Sequence, residues 1–190
     1  MTTNPFHLAV LVGSTREGRF GPTVARWFVS EASQRGDATI DVIDLADLEL
    51  PVAHPARPDP GVAGLAQRIG RADGIVVVTP EYNHGYPASL KHAIDLLHAE
   101  WQAKPVGFVS YGGRAGGLRA VEQLRQVFAE LHAMTVRDAV SFHLAWASFD
   151  NAGEPLDAAG SAAAAKAMLD QLAWWAVALR AGREARPYAA

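Results

Sequence analysis

Residues 78–97 read Val-Thr-Pro-Glu-Tyr-Asn-His-Gly-Tyr-Pro-Ala-Ser-Leu-Lys-His-Ala-Ile-Asp-Leu-Leu, and three structural signals follow one another there. The apolar run from Gly74 to Thr79 predicts a strand that is buried on both faces. Pro87 precedes apolar residues at three- and four-residue spacing, which predicts an amphipathic helix from about 87 to 98. The loop between them is polar and rich in tyrosine. Open α/β sheets bind their ligands at loops of this kind.

The same alternation of strand and helix recurs along the chain. We predict further strands at residues 7–12, 39–45, 104–110 and 134–141, and helices at about 23–34, 61–72, 118–131 and 158–179. Short apolar strands separated by helices imply right-handed crossovers and a parallel sheet with helices on both faces. Five strands in 190 residues fit an α/β, flavodoxin-like three-layer sandwich with strand order 2-1-3-4-5.

The predicted architecture is one domain over residues 1–190, with a core at about 7–180 and a loose tail at 181–190. The second strand alternates polar and apolar residues, so we place it near the sheet edge and expect Asp41 and Asp44 to be solvated. We expect Trp174 and Trp175 of the last helix to lie in the core or in a subunit contact.

Composition limits the functions that the chain can perform. Hydrophobic residues make up 49% and charged residues 19%, with a net charge of -3, so we expect no binding to nucleic acid or to an anionic membrane. Neither a signal peptide nor a membrane-spanning apolar run is visible, and we therefore expect a cytoplasmic location. The chain has no cysteine, so redox chemistry would need a cofactor. No histidine or carboxylate spacing predicts a metal site.

The loop after the first strand has the features of a phosphate site. It covers residues 13–20 and ends where a helix is predicted to begin, and free backbone N–H groups and the helix dipole favour an anion there. Ser14 and Thr15 add hydroxyl groups, while Arg16 and Arg19 add charge and bidentate hydrogen bonding. An ordinary turn with solvated arginines is the alternative that the residues leave open.

The loop after the third strand, residues 80–86, can hold the rim of a flat heteroaromatic ring. The Asn83 amide and the backbone can bond to that rim, and Tyr82 or Tyr86 can cover a ring face. His84 is a candidate proton donor or substrate contact. A rigid turn whose tyrosines cap the core is the alternative.

The loop after the fourth strand, residues 110–117, contains paired glycines that allow a backbone to approach a ligand closely. Tyr111 could stack on the ligand or donate its hydroxyl group, and Arg114 could meet a phosphate of a second, transient dinucleotide. The alternative is a flexible loop. In the predicted topology all three loops lie at one edge of the sheet.

Three segments together resemble the NADPH-dependent FMN reductase family, the flavodoxin-like group that includes azoreductases and quinone and chromate reductases. They are Gly-Ser-Thr-Arg at 13–16, Pro-Glu-Tyr-Asn at 80–83 with Leu-Lys-His-Ala-Ile-Asp at 90–95, and Ser-Tyr-Gly-Gly at 110–113. The resemblance covers about residues 8–140, and the Pro-Glu-Tyr-Asn loop is its most specific part.

The resemblance implies non-covalent FMN, NAD(P)H as co-substrate and a homodimer or homotetramer. It places the FMN phosphate at Ser14 and Arg16, with Arg19 and Phe20 close by. The isoalloxazine would lie against two sets of residues: Pro80, Glu81, Tyr82 and Asn83, with His84 beside them, and Ser110, Tyr111, Gly112 and Gly113.

The leading hypothesis is a ping-pong oxidoreductase in which no side chain need act as an acid or base, because the flavin carries the chemistry. Its acceptor could be a quinone, an azo compound, a metal oxyanion or free flavin. Two other classes stay open. One is a flavodoxin-type electron carrier, which a net charge of -3 disfavours. The other is a regulatory module that binds flavin without turnover.

Overall fold

A parallel sheet runs through the centre of the computed structural model, which describes residues 5–189. Its strands are β1 (Phe6–Val12), β2 (Ala38–Asp44), β3 (Gly74–Pro80), β4 (Pro105–Tyr111), β5 (Met134–Thr135) and β6 (Val140–Phe142). Their order is β2-β1-β3-β4-β5, and β6 also pairs with β4. The helices are α1 (Gly21–Ser33), α2 (Pro60–Arg71), α3 (Ala88–Asp95), α4 (Leu118–Glu130) and α5 (Ala158–Ala185). The predicted flavodoxin-like fold and strand order are confirmed.

The sheet separates two hydrophobic layers. Every residue of β3 and β4 is buried, as expected for strands covered on both faces. On one face, Phe28 of α1 and Met168 of α5 belong to one cluster; on the other, Ile69 of α2, Ile94 of α3 and Phe128 of α4 belong to a second. The core thus holds the carboxyl ends of β1, β3 and β4 side by side.

The strand predicted at residues 134–141 is split into two short strands, β5 and β6, both parallel to β4. A side chain of α4 binds the backbone between these two strands. Arg125 of α4 donates hydrogen bonds to the carbonyl groups of Val136 and Arg137, at 2.7 and 2.9 Å. Arg125 therefore fixes the backbone at the interruption, where Val136 still donates its N–H to the carbonyl of Val106 of β4 at 2.9 Å.

The prediction of a loose tail at 181–190 is wrong for residues 181–185, because α5 continues to Ala185; Ala190 lies outside the described residues. Arg180 and Arg183 in its last turns form ion pairs with Asp73, whose side chain is only 8% exposed. Asp73 also accepts the backbone N–H of His7 at 2.9 Å. One buried carboxylate therefore joins the start of β1 to the end of α5.

Helix α3 is shorter than predicted. Pro87 precedes it in an extended conformation, and the helix ends at Asp95 rather than near residue 98. A 3-10 turn at Ala99–Trp101 follows, and the indole N–H of Trp101 donates to the carbonyl of Ile94 at 3.1 Å. The same carbonyl also accepts the backbone N–H of Leu97 at 3.3 Å, so both bonds fix the chain where the helix ends.

The expectation that Asp41 is solvated is also wrong. Arg68 and Arg71 of α2 both pair with its carboxylate, whose side chain is 29% exposed. The hydrogen bond from Arg68 lowers the pKa of Asp41 below its ordinary value, with burial opposing it. The predicted position of β2 at the sheet edge is nevertheless confirmed.

The buried lysine Lys104 should make the stability of the fold depend on pH. Its ammonium group is buried and donates to the carbonyls of Ile69 and Gly70, both at 2.7 Å. Burial, aided by the charge of Arg183, lowers its pKa from 10.5 to about 8. Between these values the unfolded chain binds a proton that the folded chain does not, so stability should rise with pH by roughly 1 kcal/mol per unit.

The Lys104→Met variant should lose this contribution, and Lys166→Met, which removes an exposed lysine, should keep it. Urea unfolding at pH 7, 8, 9 and 10 measures the difference in slope. Identical pH profiles for wild type and Lys104→Met would contradict the prediction.

Candidate functional site

A cavity of about 410 Å³ lies at the carboxyl ends of β1, β3 and β4. Its lining includes most of the residues predicted for the site: Arg16, Arg19, Phe20, Pro80, Glu81, Tyr82, Tyr111, Gly112 and Gly113. Four predicted residues are not part of that lining: Ser14, Asn83, His84 and Ser110. Four others that line it were not predicted: Glu17, Gly18, Ala145 and Trp146.

The loop before α1 presents unused hydrogen-bond donors. No side chain caps the N-terminus of α1. Among the described residues, no acceptor is found for the backbone N–H groups of Thr15, Arg16 and Phe20. Arg16 is exposed and forms no ion pair with any residue from 5 to 189. Free N–H groups, a helix N-terminus and an unengaged guanidinium form the donor set that suits a phosphate.

Arg19, in contrast, is engaged by the protein itself. Its guanidinium donates to both carboxylate oxygens of Asp44, at 2.6 and 2.8 Å, and to the carbonyl of Ser14 at 2.8 Å. The bond to Asp44 raises the pKa of Arg19. The expectation that Asp44 is solvated is therefore wrong. Arg19 ties the loop to the end of β2, and Arg16 is left as the freer cation beside the cavity.

Ser14 and Tyr111 lie beneath the same loop. Both are buried, and the Tyr111 hydroxyl donates to Ser14 Oγ at 3.1 Å. Burial raises the pKa of Tyr111, so its hydroxyl stays protonated. A Cβ atom on Gly21 would lie 2.6 Å from Ser14 Oγ and 2.8 Å from the Tyr111 hydroxyl. This close packing fixes the first residue of α1 against β4.

The loop after β3 is a tight turn. Tyr82 and Gly85 exchange two backbone hydrogen bonds, at 2.9 and 3.0 Å. The two residues between them, Asn83 and His84, have φ values of 47° and 73°. Asparagine tolerates this left-handed conformation better than most residues, and such turns favour it. The backbone thus accounts for Asn83 at this position, while its side chain is exposed.

Arg119, near the start of α4, locks this turn in place. Its guanidinium pairs with Glu81 at 2.9 Å and bonds to His84 Nδ1 at 2.7 Å. A guanidinium is only a donor, so His84 Nδ1 must be the acceptor. The backbone N–H of Arg119 also donates to Glu81, at 3.3 Å. No local signal could have identified Arg119, because it lies 38 residues from Glu81 in the sequence.

Hydrogen bonds to β4 residues hold the loop after β4 in place. Ser110 is buried and donates its hydroxyl to the carbonyl of Gly116 at 2.8 Å. The carbonyl of Tyr111 accepts the N–H of Glu81 at 3.1 Å, which joins this loop to the preceding one. Ser110 therefore shapes the loop, while Gly112 and Gly113 form the cavity wall.

The fourth wall comes from the segment after β6, which the sequence did not suggest. The N–H groups of Leu144 and Ala145 donate to the carbonyls of Gly113 and Gly112, at 2.9 and 3.0 Å. This pairing brings Trp146 to the mouth of the cavity. The fifth predicted strand ends at the same sheet edge. That position is the only sequence signal that could have placed the following segment beside the cavity.

The fold and the cavity define a flavodoxin-like α/β protein with a phosphate-type loop beside two loops suited to a flat ring. The chain belongs to the NADPH-dependent FMN reductase family, whose model matches residues 6–147. The resemblance noted in the sequence is thereby confirmed.

Two relatives agree with this assignment, and a solved structure shares the fold. The chain is 39% identical over 129 residues to an NAD(P)H-dependent FMN reductase of Schizosaccharomyces pombe, a match that covers 63% of this chain and 64% of the relative. It is 37% identical over 140 residues to a quinone reductase of Escherichia coli (strain K12), covering 68% and 72%. The flavoenzyme FerB of Paracoccus denitrificans, an NAD(P)H:(acceptor) oxidoreductase, superposes with a TM-score of 0.72 at 22% identity, covering 89% of this chain and 98% of FerB.

Proposed function

We propose that the protein is an FMN-dependent NAD(P)H oxidoreductase that reduces a quinone, an azo compound, a metal oxyanion or free flavin. With a quinone as the acceptor, NAD(P)H, one proton and the quinone would react to give NAD(P)⁺ and the hydroquinone. The observation that carries the proposal is the free cation Arg16 beside the uncapped start of α1, at one side of a cavity whose other walls suit a flat ring. Family membership supports the same reaction class.

The cavity suggests how this chain would hold the cofactor non-covalently. Arg16 and the free N–H groups of its loop would bind the phosphate. Pro80, Glu81 and Tyr82 on one side and Gly112 on the other would contact the isoalloxazine. Bound FMN would supply hydride acceptance from NAD(P)H and transfer to the acceptor, and the protein would supply binding, orientation and electrostatics.

Two observations bear on the alternatives of an electron carrier and a regulatory module. The cavity lining carries both arginines and glutamates, whereas a carrier that docks basic partners needs an acidic rim. The cavity is also open to solvent through exposed residues such as Arg16, which gives a small acceptor access. Both favour the enzyme.

We also propose a cytoplasmic location and a homodimer or homotetramer. Among residues 5–189, no helix has the length and apolar character needed to cross a bilayer. Trp174 and Trp175 on α5 are 64% and 37% exposed, which makes the predicted core position wrong for Trp174. A subunit contact would cover these rings. Light scattering coupled to gel filtration measures the oligomeric state.

The function is tested by loading the purified protein with FMN and adding NADPH or NADH without oxygen. We expect flavin absorbance to be bleached and to return when a quinone is added. A protein that binds FMN but is not reduced by either nicotinamide would be an electron carrier or a regulatory module instead. A protein that stays colourless with added FMN would refute the flavin site altogether.

The Arg16→Ala variant should bind FMN about 10- to 100-fold more weakly, because a charge-assisted hydrogen bond to the phosphate is lost. Its affinity for riboflavin, which lacks the phosphate, should not change. Flavin fluorescence titrations with both ligands measure this, and Arg26→Ala, which removes an exposed arginine of α1, is the control. Equal weakening of FMN and riboflavin would show that Arg16 does not contact the phosphate.

A further inference from the structure

Trp146 is an exposed aromatic residue at the mouth of the cavity. Its side chain is 69% exposed, although tryptophan usually lies largely buried. It lines the same cavity as Arg16 and Tyr82. Neither the phosphate contacts nor the ring contacts proposed above use it, so its position needs a separate explanation.

The backbone holds Trp146 firmly despite this exposure. It lies in a 3-10 turn, Ala145–Ala147, which is bonded on its amino side to the glycine loop after β4. The turn begins at Leu144, whose φ of 46° is left-handed. A β-carbon makes this conformation costly, and such strain persists where surrounding contacts impose it, often at ligand sites.

The indole ring also lies close to the cavity wall. A Cβ atom built on Gly113 would be 3.7 Å from the outer edge of the Trp146 ring. The ring therefore stands over a backbone segment without a side chain, and part of its surface is open to the cavity. That open surface is available for contact with a flat molecule in the cavity.

We propose that Trp146 determines acceptor specificity by stacking on a planar aromatic acceptor of the quinone class. The inference rests on the proposed function and names the acceptor side of the same site. An electron-rich indole binds flat, electron-poor rings by offset stacking. A metal oxyanion or an octahedral metal complex has no planar face, and the indole offers such an acceptor no charge. Trp146 thus favours quinones over inorganic acceptors.

The first test observes binding without turnover. The FMN-loaded, oxidised protein, with its five tryptophans fluorine-labelled, is titrated with 2-methyl-1,4-naphthoquinone and followed by fluorine NMR. The Trp146→Phe variant assigns the Trp146 signal. We expect that signal to shift saturably while the signal of Trp174, which is 64% exposed on α5, does not. A Trp146 signal that does not move would overturn the inference.

The second test measures acceptor discrimination. The Trp146→Ala variant should raise the KM for the naphthoquinone about 5- to 10-fold and leave the rate with ferricyanide unchanged. Trp146→Phe should restore most of the loss, because it keeps an aromatic face. Leu156→Ala, which removes an apolar side chain that is 68% exposed and lies outside the cavity lining, is the matched control and should behave as wild type. An equal effect on both acceptors, or a weaker affinity for FMN, would overturn the inference, since Trp146 would then serve the flavin.

The two proposals fail in different ways. If the wild type binds FMN and turns over quinone while the Trp146 variants leave its KM unchanged, only the role of Trp146 is wrong. If the wild type binds FMN and shows the NMR shift but is not reduced by NAD(P)H, the proposed reaction is wrong, and only the stacking of the quinone on Trp146 is retained from the inference. If FMN does not bind, both are overturned.

Discussion

The Gly117→Ala variant should lose about 3 kcal/mol of unfolding free energy, because alanine meets two separate penalties there. Gly117 precedes α4 with a φ of 87°, a left-handed conformation that disfavours a β-carbon. The added methyl group would also lie 2.6 Å from Ser110 Cβ and 2.9 Å from the backbone nitrogen of Tyr111. Both contacts belong to β4, which is buried and cannot move aside easily.

The Gly36→Ala variant measures the conformational penalty alone, the cost of a β-carbon at a positive φ. Gly36 has a φ of 71°, and nothing lies within 4 Å of the position of its missing Cβ. We expect this variant to lose only about 1 kcal/mol. Urea unfolding monitored by circular dichroism measures both variants. Equal losses at the two glycines would show that the contact with β4 is relieved at no cost.

The Gly117 variant should also bind FMN less tightly. Relief of the collision must move either the start of α4 or the end of β4, where Tyr111 and Gly112 line the cavity. Gly36 lies between α1 and β2, outside the cavity lining, so its alanine variant should bind FMN as the wild type does.

The central strands could be predicted within one residue at each end. Predictions at 7–12, 74–79 and 104–110 compare with Phe6–Val12, Gly74–Pro80 and Pro105–Tyr111. Continuous apolar runs bounded by glycine, proline and polar residues are strong local signals, since both faces of such strands are covered. Topology followed from the alternation with helices. These features needed no knowledge of distant contacts.

The incorrect predictions share a physical cause. Arg125 binds the backbone between β5 and β6 from 11 residues away, and Asp73 pairs with Arg183 of α5 across 110 residues. The engagement of Arg19 by Asp44 spans 25 residues. Local patterns show which residue types are present, but they do not show which charged side chains will meet after folding.

In the candidate site, too, the features with local sequence signals were predicted and those that depend on distant contacts were not. The three loops were found because glycines, hydroxyls and tyrosines after buried strands are local signals, and topology brings them together. The shaping contacts beneath the loops, such as Ser110 with Gly116, became visible only in the folded chain. Trp146 was missed because its loop reaches the cavity through backbone pairing with Gly112 and Gly113.

Substituting Asp73 should destabilise the fold strongly without affecting the cavity. We expect Asp73→Asn to lower the unfolding free energy by about 3–5 kcal/mol, since it removes a buried carboxylate that is the negative partner of two partly buried cations. Arg180 and Arg183 both pair with this carboxylate at 3.1 Å. Burial lowers the pKa of Arg183 and the charge of Asp73 opposes that shift, so the variant leaves the guanidinium in a poorer environment.

Asp170→Asn is the matched control, because Asp170 also pairs with two cations, Arg35 and Lys166, but is 48% exposed. Water screens such pairs, so the control should lose no more than about 1 kcal/mol. Unfolding in urea at low and high salt compares the two. Salt should reduce the effect of the Asp170 substitution, and it should leave the Asp73 effect largely intact.

The Asp73→Asn variant should lower the stability of the fold without changing its affinity for FMN. Asp73 immediately precedes β3, whereas the cavity lies at the other end of that strand, beyond Thr79. Below its melting temperature, Asp73→Asn should therefore bind FMN with wild-type affinity, in contrast to Gly117→Ala. If FMN affinity fell in the Asp73 variant at a temperature where it is fully folded, the two ends of the sheet would be coupled, and the cavity could not be treated as a local assembly of loops.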